Sequence, residues 1–435
     1  MLKELIEKSK SYGIKEIEIL STKTIGLSIS VYNQKVDKCV KSEVESLIIR
    51  GIYRKKQGKI VVENLDPSQY DFYLKELVNN AKMVTSTEPA IIYKGAKHYR
   101  QIKEKPSDLV DHSTYEKQEL LLNIEKQILA GKNVKTVEST VYNESSAITR
   151  LINSKGLDLS KKTGITFVYS IGVFEKNKDI QTSFDYQVGR NFNEFDPAKL
   201  AKNIIKVGNA KLGGEPVDTG EYDIVFERSV VGDLLSAFSS CFTAESAYRQ
   251  VTLLKDKVGE VVASNIVSLV DDPYYSKSYE NVSFDNEGVP CKTRSVIKDG
   301  VFTGFINNLK YANILKQKPT GNGFGGGISF TNPILKPGHT SLNNILKEVG
   351  NGLYITGLDG LHAGINVQSG SFSLQSEGFV IKNGKLGKAV RLIVLSGNFF
   401  DILKSVKTVG NDLKYSLSGF TTPTLYVGKL VVGGK

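Results

Sequence analysis

Histidine and cysteine are scarce in this chain: its 435 residues hold 4 histidines and 3 cysteines. His98, His112, His339 and His362 share no HxH, HxxH or HxxxH spacing, so no local histidine pair is available to hold a metal. Cys39, Cys241 and Cys291 lie far apart and form no CxxC pair. Their spacing argues against a disulfide framework or a zinc knuckle and fits a reducing compartment. Long apolar runs are missing too, and none approaches the span of a bilayer. The opening MLKELIEKSKSYG is charged and amphipathic where a secretory signal would carry an apolar core. The expectation is a cytoplasmic protein with no membrane contact.

Clustered positive charge is the last absence. The net charge is +11, yet the densest runs, Arg54-Lys55-Lys56 and Lys161-Lys162, are short, and most other lysines alternate with acids on expected helix faces. That pattern reads as solvated surface and not as a phosphate-binding stripe, so a nucleic-acid partner is not expected. What is present is ordinary for a globular protein: 40% hydrophobic and 24% charged residues, on a chain long enough for two cores.

Leu2, Leu5 and Ile6 recur at helical spacing, and Gly13 supplies a stop. IKEIEIL, TIGLSISVYN, VESLIIRGIYR and KIVVENL then read as four strands of an antiparallel meander, broken at Asn33-Gln34 and Gln57-Gly58. Asp66-Pro67 opens a helix to about Val84, because Asp caps free amides and Pro fits the first helical position. Thr85 to Asp111 lacks periodicity and reads as a long connection. Ser113-Thr-Tyr-Glu116 is a capping box that opens a helix through Leu129. KTVESTVYNES, SAITRLINS, GITFVYSIGVFE and IQTSFDYQV read as a second meander, closed by a helix entered at Asp196-Pro197.

Gly213-Gly214-Glu215-Pro216 is the best boundary signal. The expected architecture is therefore α+β in two domains. Residues 1–213 carry the meanders and helices, and residues 214–435 form a β-rich domain built on a large, mostly antiparallel sheet. In the second, Val230, Val231, Leu234, Leu235, Phe238 and Phe242 form an apolar stripe that predicts one helix from Arg228 to Arg249. Asp299-Gly300 and Asn383-Gly384 predict tight hairpin turns. TGNGFGGG, Thr320 to Gly327, lacks the Lys-Ser/Thr of a phosphate loop. It reads as close backbone packing, or as a strand edge to which an extended peptide adds.

Several strings, namely VDDP, DNEGVP, NNLKYA, TGNGF, GLHAG, SGNF, VGNDL and VVGGK, together resemble the TldD/PmbA family of two-subunit bacterial metallopeptidases (peptidase U62 type). The resemblance covers nearly the whole chain and is densest from Gly213 onward. It implies a cytoplasmic peptidase that encloses small or unfolded peptides, in which one subunit carries His-Glu-x-x-x-His and a C-terminal cysteine around zinc. Aligned on its flanks, LLSAFSSCFTAES puts Ser236 at the first histidine, Ala237 at the glutamate and Cys241 at the second histidine. The segment LKYSLSGFTTPTL, which matches the cysteine-bearing region, has no cysteine. Serine is a poor zinc ligand and alanine cannot act as a base. On one straight helix, moreover, Ser236 and Cys241 would point about 140° apart.

The resemblance thus implies the PmbA/TldE branch: no catalytic residue and no metal in this chain, zinc in a TldD-like HExxxH partner, and peptides as substrates. A homodimer in isolation is the alternative assembly. Asn322, Gly323, His362 and Asn398 are the candidates to face a peptide or the partner, although for His362 a structural hydrogen bond is the better reading. Other readings stay open: a gyrase- or DNA-associated regulator, and a stand-alone peptidase with another ligand set. A Cys241–His362–Asp359 cysteine protease needs an exposed thiol beside the imidazole.

Overall fold

A computed structural model describes residues 1–85, 88, 90–103, 105 and 107–435. In the N-terminal half the helices are α1 (Leu2–Ser9), α2 (Tyr70–Met83), α3 (Thr114–Leu129) and α4 (Pro197–Lys211). The strands are β1 (Glu16–Tyr32), β2 (Lys35–Tyr53), β3 (Lys56–Val62), β4 (Val134–Asn153), β5 (Asp158–Lys176) and β6 (Asp179–Gly189). Helix starts follow the expected caps. Asp66 accepts from Ser68 N ahead of α2, Ser113 and Glu116 cap reciprocally at α3, and Asp196 accepts from Lys199 N at α4.

The two expected meanders are one antiparallel sheet in the order β3-β2-β1-β4-β5-β6. Pairing of β1 with β4, from Glu18↔Asn153 to Val31↔Thr140, joins them. IKEIEIL and TIGLSISVYN run on as a single strand, and so do KTVESTVYNES and SAITRLINS, because partners on both sides override the polar residues read as breaks. The turn at Asn33-Gln34 is present, both residues having positive φ. The next turn is at Arg54-Lys55 and not at Gln57-Gly58. Gly58 lies inside β3 for a different reason: a Cβ there would stand 1.9 Å from the Leu77 carbonyl of α2.

Two helix pairs cover opposite ends of one sheet face. Leu74 and Leu77 of α2 pack with Leu5 on Ile17, Ile19, Leu47 and Ile49. Leu121, Ile124, Leu200 and Ile204 of α3 and α4 pack on Ile29, Tyr142, Val168 and Phe174. Between them β2 projects without cover, and every residue from Lys35 to Glu45 is exposed. The expected connection from Thr85 to Asp111 holds no helix or strand among its described residues, and Ser86, Thr87, Pro89, Glu104 and Pro106 lie outside them.

Beyond Gly213 stand two further six-stranded sheets. In one, β7 (Gly220–Phe226) lies between Gly352–Asp359, parallel to it, and Leu425–Gly433, antiparallel. The other is centred on Leu269–Asp271 and Pro333–Leu335. The largest core draws on both, with Phe226, Phe238, Phe242, Phe302, Leu353 and Phe399. Asp299-Gly300 and Asn383-Gly384 both take positive φ, as the hairpin reading requires. The α+β class and the mostly antiparallel sheets agree with expectation.

The helix expected from Arg228 to Arg249 is broken. It divides into α5 (Arg228–Ala237), a 3₁₀ turn at Ser239–Phe242 and α6 (Ala244–Tyr248). Pairing across to a neighbouring segment explains the break: Ile306 N donates to Phe242 O at 3.0 Å and Ala244 N to Ile306 O at 2.8 Å. Those bonds hold Thr243 extended, and its Oγ1 accepts from Ser246 N to cap α6. The six apolar side chains of the stripe are nonetheless all buried. Cys241 lies outside the helix that carries Ser236, so the separation of about 140° expected on one straight helix does not describe the pair.

Candidate functional site

The α5 region and its surroundings are built by the strings that resemble the family. Glu227 caps α5 by accepting from Ser229 N. Arg228 donates to the Asp412 carbonyl at 3.1 Å, and Asp412 in turn accepts from Thr424 N and Oγ1. Gly232 packs so closely on Ser416 and Thr422 that a Cβ would come within 3.1 Å of the Ser416 Cβ. The helix and the segment LKYSLSGFTTPTL, expected to share a site, are therefore in contact.

What lies there is hydroxyl and hydrocarbon. Ser236 and Ala237 are half-buried. Cys241 is fully buried in the core, and its Sγ donates to the Val367 carbonyl at 3.3 Å. Burial pushes this thiol up to about 12. Zinc needs three nitrogen, sulfur or carboxylate donors around one point. Serine, alanine and a protonated thiol turned toward a carbonyl do not fit it. Among the described residues, no group of three or more His, Cys, Asp or Glu is placed to hold a metal ion. His362 is exposed in the Gly360–Gly364 turn, whereas Cys241 is buried and bonded elsewhere, so the structure does not assemble the cysteine-protease arrangement. Asn398 caps the helix Phe399–Ser405, its Oδ1 accepting from Phe400 N and its Nδ2 donating to Ser369 O at 2.8 Å.

A second feature was invisible in the chain order. VDDP, DNEGVP, NNLKYA and TGNGF converge into one buried polar knot. Asp271 accepts from Asn322 Nδ2 at 2.8 Å, from Thr331 N and Oγ1, and from Asn332 N. Asp285 accepts from Glu287 N, Val289 N and Gly323 N, each at 2.8–2.9 Å. Thr320 and Asn307 exchange bonds, and Glu287 accepts from Leu309 N at 2.8 Å. Asn322 is thus an interior clasp, 1% exposed. Gly323 is needed because a Cβ would meet the Glu287 carboxylate at 2.6 Å. The Gly-rich stretch serves close packing, one of its two expected readings.

This knot adjoins the N-terminal sheet. Arg50 is bonded to buried Glu18 and faces Glu287 at 3.7 Å, while Lys161 Nζ donates to Phe284 O at 2.8 Å. Leu20, Leu151, Leu157 and Phe284 form an apolar patch on the same seam. Tyr99, from the long connection, donates to Gly288 O at 2.8 Å. Burial raises Asp285 to about 7, with Glu287 adding repulsion, and burial lowers Lys161. A cavity of ≈ 310 Å³ opens here, lined among others by Arg50, Lys56, Glu287, Asn308 and Lys310. None of its lining residues comes from α5 or the turn that follows it.

The fold is α+β, and the family models that match it describe a metallopeptidase-like protein. The PmbA/TldA metallopeptidase central domain matches residues 107–212, and the C-terminal domain of the same description matches residues 219–434. This chain belongs to the PmbA/TldD family. It is 25% identical over 404 residues to the metalloprotease PmbA of Escherichia coli O157:H7, covering 91% of this chain and 88% of that one. A metalloprotease of Archaeoglobus fulgidus is 28% identical over 325 residues, covering 72% and 73%. A crystal structure from Thermotoga maritima MSB8, described as a candidate modulator of a DNA gyrase, superposes with a TM-score of 0.92 at 27% identity over 99% of each chain. TldE from Thermococcus kodakarensis shares the fold, with a TM-score of 0.90 at 24% identity over the whole of both chains. No helix among the described residues is long and apolar enough to cross a membrane.

Proposed function

We propose that this chain is the PmbA/TldE-like, non-catalytic subunit of a metallopeptidase acting on small or unfolded peptides in the cytoplasm. A TldD-like subunit with an intact HExxxH helix would supply zinc and the base. Gly213-Gly214 would mark the boundary between the two domains of the chain described here. The observation that carries the reading is the side-chain set at the helix: Ser236 and Ala237 beside a Cys241 thiol that is buried, protonated and turned to Val367 O. The fold around it is kept while the donors of a catalytic zinc are replaced, as suits a subunit that completes a chamber without cutting. His362 and Asn398, near the Gly360–Gly370 loop, remain the candidates to meet a peptide or the partner.

Copurification from the native host tests this. The expected result is a histidine-bearing relative in the complex, zinc in proportion to that relative, and peptide cleavage by the complex alone. Stoichiometric zinc and chelator-sensitive cleavage in the isolated chain would overturn it.

A further inference from the structure

The cavity on the seam has two ends of opposite character. Its volume of ≈ 310 Å³ lies at the lower end of the range for small-ligand sites. One end is built on Glu18, Arg50 and Glu287. Arg50 is bonded through Nε and Nη2 to Glu18, which is 1% exposed, so its charge is already met. Glu287 adds a second carboxylate. Its Oε2 accepts from Leu309 N at 2.8 Å, whereas its Oε1 stands 3.7 Å from Arg50 Nη1, beyond hydrogen-bond reach. Two carboxylates against one guanidinium leave Oε1 able to accept from a ligand.

The other end is built on Lys56 and Gln57, where the chain enters β3. Lys56 Nζ donates to Val84 O at 2.5 Å, which uses one of its three donors, and it has no ion-pair partner among the described residues. The Gln57 side-chain amide lines the cavity and makes no hydrogen bond among the described residues. Val84, Ile91 and Leu309 add hydrocarbon to the wall.

Strand register sets the spacing. Gln57 opposes Ile52 and Lys59 opposes Arg50, so Gln57 shares the Arg50 face of the sheet, two residues further along. At about 3.4 Å per residue the two ends stand roughly 7 Å apart. An extended chain spans about 3.3–3.6 Å per residue, so two residues bridge that distance. Charge narrows the choice further. A simple anion gains at Lys56 and is repelled at Glu287, and a simple cation does the reverse. A molecule with an ammonium at one end and a carboxylate at the other gains at both.

We propose that this cavity binds a free dipeptide, its ammonium on Glu287 Oε1, its carboxylate on Lys56 Nζ and Gln57 Nε2, and its apolar side chains on Val84, Ile91 and Leu309. Burial raises the Glu287 carboxyl, a cost that an ammonium held beside it offsets. The site is complete within one chain and holds no residue of α5 or the turn after it, so it is separate from the altered zinc site and independent of the subunit role proposed above. Lys56 and Gln57 belong to the N-terminal sheet, and Glu287 and Leu309 to the other half, so the ligand ties the two together.

Calorimetric titration of the isolated full chain with leucyl-alanine tests this. The expected result is one saturable site per chain. N-acetyl-leucyl-alanine and leucyl-alanine amide each lack one charge and should bind about 10-fold more weakly, as should free leucine, which cannot reach both ends. Variants assign the ends. E287Q should bind leucyl-alanine about 10-fold more weakly and no longer discriminate against the acetylated form, while K56M should no longer discriminate against the amide. A variant that only loosens the fold weakens every ligand alike, and circular dichroism melts check folding. Glu287 also sits in the buried knot, so K56M alone decides the matter if E287Q does not fold. No saturable binding, equal binding of the blocked forms, displacement by equimolar inorganic phosphate, or unchanged discrimination in K56M would overturn the proposal.

Discussion

Asn322 donates its side-chain amide to the Asp271 carboxylate at 2.8 Å, and both side chains are at most 2% exposed. The pair ties the Gly-rich stretch to the central strand of a sheet. Asp271 satisfies its oxygens wholly from this side chain and from residues 331 and 332. Replacing it with alanine would leave several buried donors without an acceptor. Asp271→Ala should therefore destabilise the chain by about 3 kcal/mol, read as a lowered midpoint in urea. Near-wild-type stability would mean that the knot is not structural.

Asp285 gives stability a pH dependence. Its carboxyl is raised from 3.8 to about 7 by burial and by Glu287. The folded state therefore holds a proton that the unfolded chain releases near its ordinary value. This contribution is fully present below about pH 4 and is lost as pH rises through about 7, at on the order of 1 kcal/mol per pH unit. Asp285→Asn should flatten that slope in denaturation curves taken between pH 4.5 and 7.5. An unchanged slope would assign the titration to another group.

Gly58 is where α2 meets the sheet most closely. An added Cβ would stand 1.9 Å from the Leu77 carbonyl and 3.1 Å from Ala81 N. Gly58→Ala must push the helix away and should cost about 2–3 kcal/mol. Thermal melts of this variant beside Gly156→Ala, where open space surrounds the position but φ is positive, separate clash from backbone strain.

Thiol reactivity should split one to two. Cys39 is exposed, while Cys241 and Cys291 are buried and both raised by burial. Native protein is expected to react promptly with one equivalent of iodoacetamide and with three only in denaturant. Rapid native labelling of Cys241 would reopen the nucleophile reading.

Local chemistry made much of the fold legible. Asp66, Ser113 and Asp196 announce helix starts because their side chains bond amides a few residues away. Asn383-Gly384 announces its hairpin for an equally local reason. The misreadings arise where distant partners decide. Ser145 and Ser146 look like a break, yet β1 and β5 hold them in mid-strand. Phe242 and Ala244 look helical, yet Ile306 takes their backbone bonds. At the candidate site the lack of zinc donors in the string around Ser236 is readable from the chain itself. The carboxylate knot was not, because its members sit far apart in sequence and meet only after the sheets form.

The place of β7 sets an order of assembly. Its two neighbours, Gly352–Asp359 and Leu425–Gly433, leave the ribosome long after it does. Until the last of them emerges, Ile224, Val225 and Phe226, all buried in the finished protein, have nowhere to hide. The N-terminal sheet can close while translation continues, whereas the sheet around β7 must wait for Leu425–Gly433 to emerge. In that interval a nascent chain exposes a sticky ribbon, and there a chaperone would matter most.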